Sequence, residues 1–139
     1  MGVIQQREED IFFEFEMFED WMEKYEYLIE LGKELPLLDE RDKSDDLLIE
    51  GCQSRVWLKT NGNNQKIEFS ADADAIITKG IIALLIRLVD KVNPQELVAY
   101  DFGIINKIGL QEHLSPTRSN GLNGMIKRLK IEALKYCNA

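Results

Sequence analysis

The chain has 139 residues and a formal net charge of −8, with 45% hydrophobic and 30% charged residues. This size and balance are typical of a soluble globular protein, and we expect residues 1–139 to form a single domain. The longest apolar run, from Ala75 to Val92, is interrupted by charged residues too often to span a membrane. These features argue against a membrane protein.

The charge is unevenly distributed. Residues 1–50 carry 17 acidic and 5 basic side chains, whereas residues 51–139 carry 8 acidic and 12 basic ones. This pattern is compatible with a solvated acidic helix face, or with a polarised surface that orients the protein on a charged partner. Nucleic acid is not expected as a partner, because the basic residues are few and are not interleaved with exposed aromatic residues. Without a secretory signal or a cysteine framework, we expect a cytoplasmic protein.

The first predicted element is one amphipathic helix over residues 8–31, which Gly32 and Pro36 end. Its acidic residues lie on one face. We expect its apolar stripe to belong to the core, and the stripe consists of Ile11, Phe15, Phe18, Met22, Tyr25 and Ile29, widened by Phe12, Trp21 and Leu28. Residues 36–46 are polar and are predicted to form a loop.

Three short strands are predicted next, over residues 47–50, 55–60 and 66–70. The Asn-rich segment 61–64 is suited to a hairpin turn between the second and third strands, because Asn and Gly tolerate positive φ. The connection between the first and second strands, residues 51–54, contains a cysteine. The expected sheet is therefore three-stranded and antiparallel.

The remaining elements are helical. Asp72 or Asp74 is predicted to cap a helix over residues 75–92, which is apolar on nearly all sides and therefore central. Shorter helices are predicted from Asn93-Pro94 to Tyr100 and over residues 103–108. Ser115-Pro116 precedes a last helix whose apolar stripe is Leu122, Ile126, Leu129, Ala133 and Tyr136.

Cys52 is the most informative candidate residue. The chain has two cysteines, and Cys137 lies two residues from the end. Cys52 follows Gly51 on a predicted turn, where a thiol is better suited to covalent chemistry than to core packing. A reactive thiol requires a lowered pKa or a base, and the candidates are the cation of Arg55 and the backbone N–H groups of the turn.

Several kinds of site can be compared with this arrangement. A cysteine phosphatase requires an arginine six residues after the cysteine, where this chain has Leu58. A cysteine hydrolase would have to use His113, the only histidine, as its base. A metal or cluster site would have to combine Cys52, His113 and Cys137, without any Cys-x2-Cys spacing. A thiol that carries sulfur between proteins requires none of these partners.

The chain closely resembles the SufE family, which includes the paralogue CsdE, over nearly its whole length from about Trp21. The most specific match is Gly51-Cys52-Gln53-Ser54-x-Val56-Trp57. Further matches in the same order are Lys24-Tyr25-x-Tyr27-Leu28-Ile29-Glu30-Leu31-Gly32 with Leu35-Pro36, Asp72-x-Asp74-Ala75-x-Ile77-x-Lys79-Gly80, and His113-Leu114-Ser115-Pro116-x-Arg118-x-x-Gly121-Leu122.

This resemblance implies a compact α+β fold, a small three-stranded antiparallel sheet packed against helices, which is shared with IscU-type scaffold proteins. It also implies a role as sulfur acceptor and activator of a SufS-type cysteine desulfurase. Cys52 would take sulfane sulfur as a persulfide and pass it to an iron–sulfur scaffold complex of the SufBCD kind. The protein would be an accessory protein rather than an enzyme, and it would need no cofactor of its own, since pyridoxal phosphate belongs to the desulfurase. A homodimer is compatible with the resemblance.

The resemblance also assigns supporting residues. Gly51, Gln53, Ser54, Asp74 and Arg118 would support or control the cysteine loop. The chain departs from the family where the pattern commonly reads Asp-Ser-Asp, because it has Asp72-Ala73-Asp74. We expect the missing hydroxyl to remove a cap hydrogen bond of about 1 kcal/mol. An IscU-like metal or cluster scaffold and a Cys–His hydrolase are the alternative functions.

Overall fold

The computed structural model describes residues 2–36, 38–52 and 54–137. Within these residues the chain forms helices α1 (Val3–Glu16), α2 (Trp21–Lys33), α3 (Ile76–Val89), α4 (Pro94–Ala99), α5 (Ile104–Lys107) and α6 (Pro116–Cys137), and strands β1 (Val56–Gly62) and β2 (Ile67–Ala73). Short 3-10 turns occur at Glu40–Asp42, Asp45–Leu47 and Gln111–His113. The α+β class predicted from the sequence is therefore confirmed.

Helix α3 is the centre of the core, as its apolar sequence predicts. Most of its side chains are buried, among them Ile82, Leu84, Leu85 and Leu88. Helices α1, α2 and α6 and strand β2 all pack against it. Gly32 and Gly80 face each other where α2 crosses α3, so Gly32 lies inside α2 and does not end it. Among the described residues, every helix is too short or too polar to cross a bilayer.

The prediction of one helix over residues 8–31 is wrong, because the chain breaks after Glu16 and starts α2 at Trp21. The Asp20 side chain accepts a hydrogen bond from the Glu23 N–H at 3.0 Å and thereby caps α2. The predicted apolar stripe continues across this break. Met22, which the stripe places in the core, is therefore 67% exposed.

The third strand is also a wrong prediction, because the described residues form a two-stranded antiparallel sheet in which Val56 pairs with Ala73. Residues 45–47 form a 3-10 turn, and Leu48 makes one isolated bridge to Trp57. The carbonyl groups of Asp46 and Leu48 accept hydrogen bonds from the Arg128 side chain. A side chain on α6 thus satisfies acceptors that a third strand would have satisfied with backbone N–H groups.

The helical predictions after the sheet are confirmed with small shifts at the ends. Asn93 caps α4 by accepting the Gln95 N–H at 2.9 Å. The predicted cap of α3 is wrong, since α3 follows Ala75, whose methyl group accepts no hydrogen bond. The predicted hairpin turn is displaced, because β1 continues to Gly62 and Asn63 closes the turn by accepting the N–H groups of Gln65 and Lys66.

Candidate functional site

Cys52 lies in the loop between the Leu48 bridge and β1, which we call the cysteine loop (residues 50–55). The loop turns at Gly51, whose φ of 88° falls in the left-handed region that residues with a Cβ rarely adopt. At its base the Ile49 N–H donates to the Val56 carbonyl oxygen at 2.8 Å. The predicted connection with Cys52 at its tip is therefore present, although its first arm is a single bridge. Gln53 lies outside the described residues.

Helix α6 forms the surface on which the cysteine loop packs. The Cys52 Sγ donates to the Gly121 carbonyl oxygen at 3.6 Å. A Cβ atom on Gly121 would lie 3.5 Å from the Cys52 Sγ, and one on Gly124 would lie 2.6 Å from the Glu50 carbonyl oxygen. The second distance is shorter than atoms tolerate, so the loop backbone approaches α6 this closely only because Gly124 has no side chain.

The thiol faces a small cavity of about 80 Å³ between the loop, α3 and α6. Its lining combines hydroxyl, apolar and cationic groups, namely Cys52, Ser54, Thr78, Ile81, Thr117, Arg118, Gly121 and Met125. Three residues that the sequence placed in one site, Cys52, Ser54 and Arg118, are thus brought together. Arg118 is exposed and lies in the first turn of α6, with its backbone N–H 3.3 Å from the Ser115 Oγ that accepts its hydrogen bond.

Burial controls the acidity of the thiol. Cys52 is half-buried, and this burial raises its pKa above the ordinary value because the charged thiolate would lose its hydration. The expectation that Arg55 lowers the pKa is not supported, since desolvation is the cause of the shift. In this position the thiol keeps its proton at neutral pH and is a weak nucleophile.

Asp74 anchors the far end of the cysteine loop. Its Oδ1 accepts the Arg55 N–H at 3.0 Å, and its own N–H donates to the Arg55 carbonyl oxygen at 3.1 Å. The resemblance named Asp74 as a loop residue, and this pairing fixes the point where the loop enters β1. Ala73 ends β2 opposite Val56, so the hydroxyl that the family commonly has here would not lie at a helix cap.

His113 makes its contacts away from Cys52. Its ring stacks on the Trp21 ring with centroids 3.9 Å apart, and its Nδ1 lies 3.0 Å from the Gly109 carbonyl oxygen. His113 is absent from the described lining of the Cys52 cavity. Cys137 ends α6, where its carbonyl oxygen accepts from the Gln95 side chain. A Cys52–His113 hydrolase pair therefore finds no support in the geometry.

Metal ligands are not brought together either. Within residues 2–36, 38–52 and 54–137, no group of three or more His, Cys, Asp or Glu side chains is placed to hold a metal ion. Cys52, His113 and Cys137 each have a different environment, as described above.

Sequence reasoning missed two sets of ion pairs near the loop region, although it had named Asp72 as a possible helix cap. Asp72 is buried and pairs with Lys43 at 3.0 Å and with Lys79 at 3.2 Å. Arg128 and the buried Glu132 are paired on α6 at 3.1 Å. The i, i+4 spacing of Arg128 and Glu132 is a readable signal for an ion pair. The partners of Asp72 are distant in sequence or on another element, so no local pattern identifies them.

A family model described as "SufE: Fe-S metabolism associated domain" matches residues 9–133. The chain belongs to the SufE family. This membership associates the chain with iron–sulfur metabolism. A solved structure with a similar fold is described as the solution structure of a hypothetical protein from Thermus thermophilus. It has a TM-score of 0.78 and 17% identity, and the match covers 96% of this SufE-family chain and 97% of the other. At that identity the similarity concerns the fold.

Proposed function

We propose that this SufE-family chain is the sulfur acceptor and activator of a SufS-type, pyridoxal-phosphate-dependent cysteine desulfurase. In this proposal the sulfur passes from Cys52 to an iron–sulfur scaffold complex of the SufBCD kind. The observation that carries the proposal is a free thiol on a loop tip, half-buried in a small cavity and hydrogen-bonded to a backbone carbonyl. In this proposal the thiol stays in the cavity and does not react until the loop moves.

The chemistry is a displacement at sulfur. The Cys52 thiolate attacks the outer, sulfane sulfur of the desulfurase persulfide, and a new S–S bond forms on Cys52. The S–S bond of the donor breaks, and the donor cysteine leaves as a thiolate that takes up the proton released by Cys52. One sulfur atom and its persulfide bond move without any net oxidation or reduction. The reaction therefore needs no cofactor in this chain.

The cavity supports the storage of the transferred sulfur. Its volume is about 80 Å³. By the same measure a cavity needs roughly 10–15 Å³ to hold one water molecule, so this cavity has space for a sulfur atom, which is somewhat larger than water. A persulfide on Cys52 thus has room beside Ser54, Thr78 and Thr117, whose hydroxyl groups can donate hydrogen bonds to it.

Activation requires the loop to leave the cavity. The raised pKa of the buried thiol opposes attack from the resting position. Docking of the desulfurase would move Cys52 into the partner's active site. There the partner's own groups would stabilise the thiolate that burial in the cavity disfavours. Arg118 and Thr117, which are exposed at the cavity, are the residues that such a partner would meet first.

The proposal is tested by sulfur mapping. The purified protein is incubated with a SufS-type desulfurase and L-cysteine, and sulfane sulfur is located by mass spectrometry of unreduced peptides. We expect the mass of one extra sulfur on Cys52, and no acceptance or activation in Cys52→Ser. Cys137→Ser is the matched control and should behave as the unmodified protein. Sulfur on Cys137, or full activation by Cys52→Ser, would show that the proposed carrier is wrong.

A further inference from the structure

Arg128 joins α6 to the segment just before the cysteine loop, residues 46–49, which we call the loop stem. We propose that Arg128 is a positioning residue that holds Cys52 in its sheltered resting position. This inference rests on the proposed function for its biological meaning, because the position of Cys52 matters only if the thiol reacts. The physical claim concerns the loop itself and can be tested without a partner protein.

The guanidinium group of Arg128 makes three polar contacts in three directions. Nη1 donates to the Leu48 carbonyl oxygen and Nη2 to the Asp46 carbonyl oxygen, both at 2.9 Å. Nε donates to the Glu132 Oε1 at 3.1 Å. The side chains of Arg128 and Glu132 are 20% and 10% exposed. The bonds to Leu48 and Glu132 are therefore partly shielded from water, whereas the bond to Asp46 lies at an exposed site.

The contacts explain how a residue outside the cavity acts on Cys52. Leu48 precedes Cys52 by four residues, and the segment between them crosses Gly124 at Glu50 and reaches Gly121 at Cys52. Gly121, Gly124, Arg128 and Glu132 follow one another at steps of three, four and four, so they share one face of α6. On this face, Arg128 forms hydrogen bonds with the loop stem, and Gly121 and Gly124 let the loop pack closely against the helix.

The rigid fork of arginine is needed for this role. Lysine has one ammonium group and cannot reach both carbonyl groups and Glu132 in the same geometry. Asp74 fastens the other end of the loop through Arg55. The backbone bond from the Ile49 N–H to the Val56 carbonyl oxygen also holds the Arg128 end. Loss of the Arg128 contacts leaves the stem held by that backbone pairing alone, so Cys52 moves away from α6 more often.

The test measures alkylation of Cys52 by iodoacetamide in the full chain, with peptide mass spectrometry to separate Cys52 from Cys137. The variants are Arg128→Lys and Arg128→Ala. Lys127→Ala is the matched control, because it removes the same charge from an exposed neighbouring position on α6. Each rate is measured over a range of pH values. Cys137 lies about 24 Å from Gly121 along α6, so its alkylation rate reports general opening of the protein.

We expect Arg128→Ala to raise the alkylation rate of Cys52 on the order of tenfold, the change that corresponds to about 1.4 kcal/mol, near the value of one hydrogen bond to a charged group. Arg128→Lys should give an intermediate rate, and Lys127→Ala the unmodified rate. The pH midpoint of the Cys52 reaction should fall in the Arg128 variants, because the released thiol is hydrated. The rate of Cys137 should not change.

Two results would overturn the proposal. One is an unchanged Cys52 rate and pH midpoint in Arg128→Lys. This variant keeps the charge beside Glu132, so it tests the positioning role even if Arg128→Ala does not fold. The other is a parallel rise at Cys137, which would mean that Arg128 contributes only general stability. Because no desulfurase is present, these results are independent of whether Cys52 accepts sulfur.

Discussion

The thiol of Cys52 is held in a position that lowers its reactivity. It donates to the Gly121 carbonyl oxygen, and its burial raises its pKa. The surrounding hydroxyl groups and the guanidinium of Arg118 lie at the same cavity without making the thiol acidic. Reactivity therefore depends on a change in position, which a docking partner can supply.

The raised pKa of Cys52 predicts a measurable pH profile. In the folded protein the alkylation rate of Cys52 should have its midpoint above the ordinary thiol value of about 9, and in urea it should return to that value. The unfolded chain loses this proton first, so the thiol's contribution to stability is complete below its unfolded pKa and is lost as the pH rises through its folded pKa. Cys52→Ser should lack that part of the pH dependence of unfolding. Equal midpoints in the folded and unfolded protein would contradict a sheltered thiol.

Helix α6 acts as the support of the site at the scale of secondary structure elements. It contributes Arg118, Gly121 and Met125 to the cavity, and Gly124 and Arg128 to the loop contact. These residues occur over several turns of one 22-residue helix. Because these residues share one helix, the regular rise of the helix sets the spacing between the cavity residues and Arg128.

The two glycines of α6 provide a matched pair of substitutions. Gly121→Ala places a methyl group at ordinary contact distance, 3.5 Å from the Cys52 Sγ, whereas Gly124→Ala places one 2.6 Å from the Glu50 carbonyl oxygen. Both gain about 1 kcal/mol of helix propensity. Overpacking costs about 1–3 kcal/mol, so Gly124→Ala should be less stable than Gly121→Ala by that amount in urea unfolding. Equal stabilities would show that the loop does not rest on α6 as closely as the distances indicate.

Asp72 connects three parts of the whole molecule. It lies on β2 and pairs with Lys43 from the segment before the cysteine loop and with Lys79 from α3. Burial alone would raise its pKa, but hydrogen bonds from Lys43, the Ala73 N–H and Lys79 outweigh that effect and hold the pKa below its usual value. The carboxylate therefore contributes stability while it is charged.

Asp72→Asn should lower the free energy of unfolding at pH 7 by about 2–3 kcal/mol, somewhat less than a fully buried pair, because both lysines keep some exposure. The contribution of Asp72 is present above its unfolded pKa of about 3.9 and is lost as the pH falls through the lower folded pKa. The difference between the variant and the unmodified protein should shrink below about pH 3.9 in urea titrations. Glu19→Gln, at an exposed site, is the control and should change little. A constant difference at all pH values would disprove the role of the charge.

Local patterns account for the elements that the sequence predicted well. The apolar run of α3, the Asn93-Pro94 start of α4 and the last helix all follow from signals within a few residues. The break at Asp20 was missed because the apolar period continues across it. The third strand was wrong because residues 45–47 form a 3-10 turn and Leu48 makes one isolated bridge to Trp57.

The sequence by itself determined the family, the α+β class, the central helix and the reactive candidate Cys52, because motifs and periodicity are local. Only the tertiary structure decided that the thiol is sheltered, that Asp74 fastens Arg55 and that Arg128 holds the loop stem. The Cys52–Gly121 contact joins residues 69 apart, and the Arg128–Leu48 contact joins residues 80 apart. Such contacts exist only once the core has brought α6 and the loop together, and the shelter of the thiol depends on them.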